Sequence, residues 1–225
     1  MMPERDEGAF LNHWAFSQLC QRVHAPAGYL RTLPAALAAI PLQWSMEQEH
    51  QDAKLLLRQN GGPSTVAAIT SDSYGRIWDA ELSESILGHV DLTTWKVPVA
   101  SYAAKDSLRA TTLYASDRDC FIALVDDQHP IMVPGREQDT LFRGFIVHNS
   151  EVGCATYELF LFLYRMICDN RIIHGLGETR HLRIRHTSGG PMRFMHQATP
   201  ALNDYVNAAT QDTVDIIQRA SDKVI

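Results

Sequence analysis

The chain has 225 residues, 45% of them hydrophobic, with 20 Lys/Arg against 26 Asp/Glu and a formal net charge of −6. That length and apolar content fill one large domain or a main domain with a small attachment, and they exclude wholesale disorder. The acidic balance excludes a broad basic surface that coats nucleic acid, and no run approaches the roughly 20 apolar residues of a membrane span.

The opening residues Met1 to Glu7 carry the wrong charge for a secretion signal, so the expected location is the cytoplasm. Residues 9–23 read as a helix with Phe10, Leu11, Trp14, Leu19 and Val23 on one side. Pro26, Gly28 and Pro34 interrupt, and Pro34 stands where a second helix would begin. Residues 1–50 are thus expected to form a helical cap. Lys54 to Arg58, the Gly61-Gly62-Pro63 turn and Thr65 to Thr70 read as a β-hairpin. A loop from Ser71 to Arg76 leads to a helix over Trp78 to Val90. Strands are predicted at Trp95–Tyr102, Ser107–Ala115 and Cys120–Val125, with Asp126, Asp127 and Pro130 marking a turn. Pro134 to Thr140 reads as a flexible polar loop.

Leu141 to His148 is apolar on both faces, as a central strand is. Ser150 then reads as a helix cap, Glu151 as a complement to the helix dipole and Gly153 as a point of close approach, opening a long helix over 151–168. Leu202, Tyr205, Val206, Ala209, Ile216, Ala220 and Val224 recur at helical spacing and predict one amphipathic helix over 200–225. The expected architecture is α+β: an antiparallel sheet with a long crossing helix in a core over 51–199, between the cap and the C-terminal helix.

Charge is unevenly placed. Residues 141–196 hold 7 Lys/Arg against 4 Asp/Glu and half of the ten histidines, whereas residues 1–140 hold 11 against 18. In an extended segment, alternation puts Leu182 and Ile184 on one side of 181–185 and His181, Arg183 and Arg185 on the other. Such a stripe is ordinarily a solvated strand face. On an acidic chain it also guides phosphate to one place. Sixteen of the twenty cations are arginine, suited to phosphate contacts and to stacking, a composition that a GC-rich genome produces as well.

Several short stretches carry a resemblance. Trp14 to Arg22, Ala25 to Pro34, Leu55 to Arg58, Ser71 to Arg76, Asn149 to Gly153, Cys168 to Asn170 and Arg183 to Thr187 stand in an order that resembles the phage- and plasmid-borne family catalogued as domain of unknown function 932. The resemblance implies a mobile-element context. The predicted layout of strands followed by a crossing helix is also similar to the β-β-β-α core of single-strand annealing proteins, the class of RecT, Red-beta, Erf and the eukaryotic Rad fifty-two mediator. That similarity implies ATP-independent binding and annealing of single-stranded DNA for homologous recombination, by a ring or filament of identical subunits.

On that reading the DNA-binding residues are Tyr74, Arg76, Arg143, Arg165, Arg171, His181, Arg183, Arg185 and His186, with Trp78 and Phe145 as further stacking surfaces. Each has an ordinary alternative: Arg143 pairing with an acid across the sheet, Arg165 extending from a helix end, Phe145 packing in the core. No covalent chemistry and no cofactor are expected. A second reading is a metal-dependent nuclease using Asp117, Asp119, Asp126 and Asp127, although carboxylates at strand ends are commonly turn residues. A third is an anti-defence protein that binds a host partner through the acidic N-terminal part. A zinc site from Cys168, His174, His181 and His186 matches no common spacing. The remaining cysteines sit in apolar stretches, as buried thiols do. No Walker loop, Rossmann glycine pattern or nucleophile elbow is present.

Overall fold

The computed structural model describes residues 8–48, 51–59, 61–98, 113–133, 136–165, 173–174 and 181–221. The chain divides into two compact units, Met1–Tyr74 and Gly75–Ile225.

The first unit contains strand β1 (Phe10–Leu11), helices α1 (His13–Arg22), α2 (Ala27–Leu30) and α3 (Ala35–Met46), and strands β2 (Ala53–Arg58) and β3 (Thr65–Ser71). Asn12 begins α1 by accepting the Ala15 N–H at 2.7 Å, as an N-cap does. Its amide reaches back to the Ala67 carbonyl, tying the helix to β3. The three strands form one sheet in the order β1-β3-β2, in which the expected hairpin is antiparallel and β1 is parallel to β3. Ala15, Leu19, Val66 and Ile69 make its small core.

The second unit opens with α4 (Asp79–His89), followed by β4 (Trp95–Lys96), β5 (Leu113–Ala115), β6 (Cys120–Val133), β7 (Arg136–Asn149), β8 (Tyr157–Arg165), β9 (Ile173–His174) and β10 (His181–Ile184). It ends with α5 (Gly190–Arg193), a π-helical turn over Phe194–Ala198, α6 (Thr199–Asn207) and α7 (Thr210–Ser221). The strands form one sheet in the order β10-β8-β7-β6-β4, with β5 also on β6 and β9 also on β8. The class is α+β with an antiparallel sheet, as the sequence predicts.

The long crossing helix is not there. Of the residues expected to form it, 151–156 make the connection from β7, 157–165 run as β8, antiparallel to both β7 and β10, and 166–168 lie outside the described residues. A segment apolar on every side satisfies helical and extended periodicity alike, and here Tyr157, Leu159, Leu161 and Leu163 face the core while Phe160 and Phe162 face the other way. The signals at its start belong to other structures. Gly153 takes φ +81° in the turn between β7 and β8, and Ser150 Oγ accepts the Cys154 N–H at 3.0 Å within that turn. Glu151 Oε1 accepts the Asp79 N–H at 2.9 Å, so its charge complements the N-terminus of α4.

Two further expectations change. The polar loop over 134–140 shrinks, since β7 already begins at Arg136 and pairs with β6. The C-terminal helix is two helices, broken at Ala208, whose ψ of 140° is extended. Arg143 takes the freed carbonyls of Tyr205 and Ala208 at 3.3 and 2.7 Å, a cation at the C-terminal end of α6. Of the strands expected at 95–102 and 107–115, residues 99–112 lie outside the described residues.

One face of the sheet is the core. Leu124, Phe145, Val147, Leu159, Leu161 and Ile184 pack against Leu82 and Ile86 of α4 and against Phe194, Ala198, Leu202 and Val206 of the C-terminal helices.

Candidate functional site

Strand register places side chains of the opposite face in rows. Tyr114 pairs with Phe121, Phe121 with His148, His148 with Glu158, and Glu158 with Arg183, so one row crosses β5, β6, β7, β8 and β10. A second row runs Ile146, Phe160, His181. These residues, apart from Arg183 but with Asp119, line a concavity of about 470 Å³. Tyr114 and Phe121 stack with centroids 5.8 Å apart, and Phe160 meets His181 edge-on at 6.0 Å.

Two carboxylates organise the polar part. Asp119 accepts from His148 Nε2 at 3.1 Å, Ser116 Oγ at 2.8 Å and the Tyr114 hydroxyl at 3.3 Å. Burial raises its carboxyl, but those hydrogen bonds prevail and hold it below the ordinary value. The Tyr114 hydroxyl moves up, by desolvation first and by the Asp119 charge second. Glu158 lies 3.4 Å from His181 Nε2 and 3.2 Å from Arg183 Nε.

The structure therefore brings His181 and Arg183 together on one face, as alternation requires, but it also sets Glu158 between them. The stripe is a paired surface rather than a free cationic one. Arg185 follows β10 and is exposed. His186 is half-buried, with Nδ1 3.3 Å from the Gly75 carbonyl. Desolvation lowers its pKa, so it is not the cation that a phosphate contact needs.

Arg76 donates to the Glu151 carbonyl at 2.8 Å and lies 5.1 Å over the Trp78 ring. Tyr74 closes the first unit, where its carbonyl accepts from Lys54 Nζ at 3.4 Å. Phe145 is fully buried, which removes it as a stacking surface. Arg165 ends β8, and of its side chain nothing is described; Arg171 and Cys168 lie outside the described residues.

Arg143 faces the core side, 4% exposed, where Nη2 meets Asp126 Oδ2 at 3.2 Å. This is the pairing across the sheet that sequence reasoning allowed as its alternative. Asp126 sits at a bulge: its partner on β7 is Arg143 and the next paired residue is Ile131 with Leu141, so residues 127–130 loop out against one residue of β7. His129 returns over the Asp126 carboxylate, with Nδ1 at 3.1 and 3.0 Å from its oxygens. Sequence reasoning missed this pair. Its signal was a histidine three residues after an aspartate, followed by a proline, in a run whose strand continues on both sides. Among the described residues, no three His, Cys, Asp or Glu side chains form a group able to hold a metal ion.

Several of the stretches that carry the resemblance meet in the second unit. The Gly75 N–H donates to the His186 carbonyl at 3.3 Å, and Asn149 Nδ2 reaches the Ile77 carbonyl at 3.0 Å and Asp79 Oδ1 at 2.7 Å. They join the start of α4 to the ends of β7 and β10.

Among the described residues no helix is long and apolar enough to cross a membrane. No curated protein and no solved structure matches the chain. A family model does match residues 103–221, more than half of the chain and wholly inside the second unit. The chain thus belongs to the family described as Domain of unknown function (DUF932).

Proposed function

We propose that the protein binds single-stranded DNA without sequence preference and without ATP, across the sheet face that carries Tyr114, Phe121, His148, Phe160, His181 and Arg183, and that this binding serves strand annealing during recombination. The observation behind the proposal is the pair of rows described above: aromatic rings on an antiparallel sheet, flanked by histidine and arginine. Every base has a π-face, so aromatic platforms accept any sequence, and each stacked base contributes about 1–3 kcal/mol.

With Glu158 already engaging His181 and Arg183, stacking outweighs charge in this reading. Affinity for a labelled oligo-dT, read by fluorescence anisotropy, is expected to fall with salt at only about −0.7 per phosphate neutralised, for a few phosphates. Phe121→Ala is expected to weaken binding about 5- to 150-fold, the equivalent of one lost stack. Arg183→Ala with Arg185→Ala lowers affinity less and flattens the salt slope. Light scattering and pairing of complementary labelled strands then read assembly and annealing. Absence of oligo-dT binding, or Phe121→Ala binding as tightly as wild type, refutes the reading.

A further inference from the structure

The first unit contains a stretch that the DNA-binding reading leaves unused, Leu55 to Arg58 on β2. β2 pairs with β3 along one side, and among the described residues no strand lies along its other side. Such an edge keeps a row of backbone N–H and C=O groups that can template another strand, and folded sheets commonly blunt it with a bulge, a proline or an inward-pointing charge. β2 carries none of these on its core side. Its one register shift falls between Leu56 and Leu57 with the extra residue, Ala67, on β3, so β2 itself alternates without interruption. Arg22 Nη2 donates to the Gln51 and Asp52 carbonyls at 2.9 and 2.7 Å, which fixes the entry to the strand.

Alternation then sorts the side chains. Leu55 lies across from Ile69 and Leu57 across from Val66, so both leucines stand on the side where Val66 and Ile69 pack with Ala15 and Leu19. The core stops short of them: Val66 and Ile69 are each 7% exposed, whereas Leu55 and Leu57 are 57% and 56% exposed. An apolar row thus runs from a buried core out to an open edge. Lys54 and Arg58 stand on the opposite face, where Lys54 Nζ donates to the Tyr74 carbonyl at 3.4 Å.

We propose that a second copy of this chain pairs here, β2 against β2, antiparallel about a two-fold axis that passes through the sheet at Leu55. Such an axis keeps every side chain on its own face, so it sits at a residue and not between two. At Leu55 it brings that side chain onto the partner subunit's Leu55 and brings Leu57 onto the partner subunit's Ala53, which joins the two cores through one apolar row. On the other face Arg58 meets the partner subunit's Asp52, twice by symmetry, and opposite charges across an antiparallel pair attract. Moving the axis by one residue loses this. At Lys54 the two lysines oppose each other, and at Leu56 Lys54 opposes the partner subunit's Arg58. Charge therefore selects the register, and the complementarity of both faces selects a copy of the chain as the occupant. A contact that uses the same patch on both subunits closes at the dimer. None of these residues belongs to the face proposed to meet DNA, so the two readings stand or fall separately.

The test is sedimentation equilibrium of the full chain from about 1 to 100 μM, because a strand edge of this length gives a small interface of micromolar strength. The weight-average mass is expected to rise with concentration from that of one chain toward that of two. Leu55→Lys sets two ammonium groups face to face at the axis and should raise the dissociation constant about 10-fold or more, with an unchanged melting temperature for the monomer, since the side chain is exposed. Arg58→Asp should weaken the dimer about 3- to 10-fold, and adding Asp52→Arg should restore it, because the exchanged charges meet again across the axis. That rescue depends on the register alone. A wild-type mass that stays at one chain leaves the edge to a strand of another protein and overturns the proposal. So do a Leu55→Lys chain that dimerises like wild type and a double exchange that dimerises no better than Arg58→Asp.

Discussion

Replacing Asp126 by alanine perturbs the buried ion pair of the second unit. The carboxylate and the Arg143 guanidinium are 1% and 5% exposed and 3.2 Å apart, so removing one leaves the other charged and buried. Breaking such a pair from one side costs about 3–5 kcal/mol. At roughly 2–4 °C per kcal/mol for a chain of this size, the thermal midpoint should fall by about 6–20 °C. Arg143→Met alone should also be costly, because it strips the Tyr205 and Ala208 carbonyls of their donor. The double substitution should lose clearly less than the sum of the singles, since neither charge is then left alone.

The pair also sets a pH dependence. Burial raises the Asp126 carboxyl, yet the hydrogen bonds from His129, the Gln128 N–H and Arg143 hold it below its ordinary value. With the folded pKa below the unfolded one, the stabilisation is complete above about pH 3.9 and disappears as pH falls through the folded pKa. Calorimetry from pH 7 to pH 2 should therefore show wild type and Asp126→Ala converging in acid. A loss below 1 kcal/mol at pH 7, or a gap that widens on acidification, would refute the reasoning.

Gly75→Ala should destabilise the second unit by more than the about 1–3 kcal/mol of ordinary overpacking, because the new methyl would overlap the Thr187 carbonyl and lie 2.8 Å from the Pro191 ring; an unchanged urea midpoint would show that the two segments separate freely. Folded His186 resists protonation chiefly because it is half-buried, so the unfolded chain takes up that proton first and stability should decline as pH drops below about 6.5. His186→Gln should remove that part of the decline in denaturant titrations, and an undiminished slope would assign it to other groups.

What the sequence revealed was local. The hairpin lies in its glycine turn and the orientation of β10 in strict alternation of Leu182 and Ile184 with charged residues, whereas the helix read from residue 9 starts at His13, because Phe10 and Leu11 pair with β3 and Asn12 caps the helix. What it hid depended on partners far along the chain. Glu158 lies 25 residues from Arg183 in sequence but opposite it in register, and no pattern within 181–186 announces a carboxylate there. The segment 157–165 misled for another reason: with apolar side chains at nearly every position, pairing with β7 and β10 decides the conformation, and pairing is not a local property. Asp126 and Pro130 resembled turn punctuation because a strand tolerates proline only at an edge or a bulge, and the bulge appears only when β7 continues alongside.

Alternation also links the two sides of the sheet through single residues. Asn149 is buried on the core face, where its amide holds the Ile77 carbonyl and Asp79, while its neighbour His148 points to the open face and meets Asp119. Fixing Asn149 therefore fixes the pleat from which His148 is aimed. The same holds farther along β7, where Arg143 is anchored under α6 and Gly144 leaves its opposite side bare. Any side chain at Gly144 would place a Cβ 2.5 Å from the Phe162 ring, so the glycine is what makes room for the outer end of that ring beside β7. The Asn149 to Gly153 stretch thus bears on the open face without standing on it. It sets the end of β7, and the strand's period of two carries that setting to the residues proposed to meet DNA.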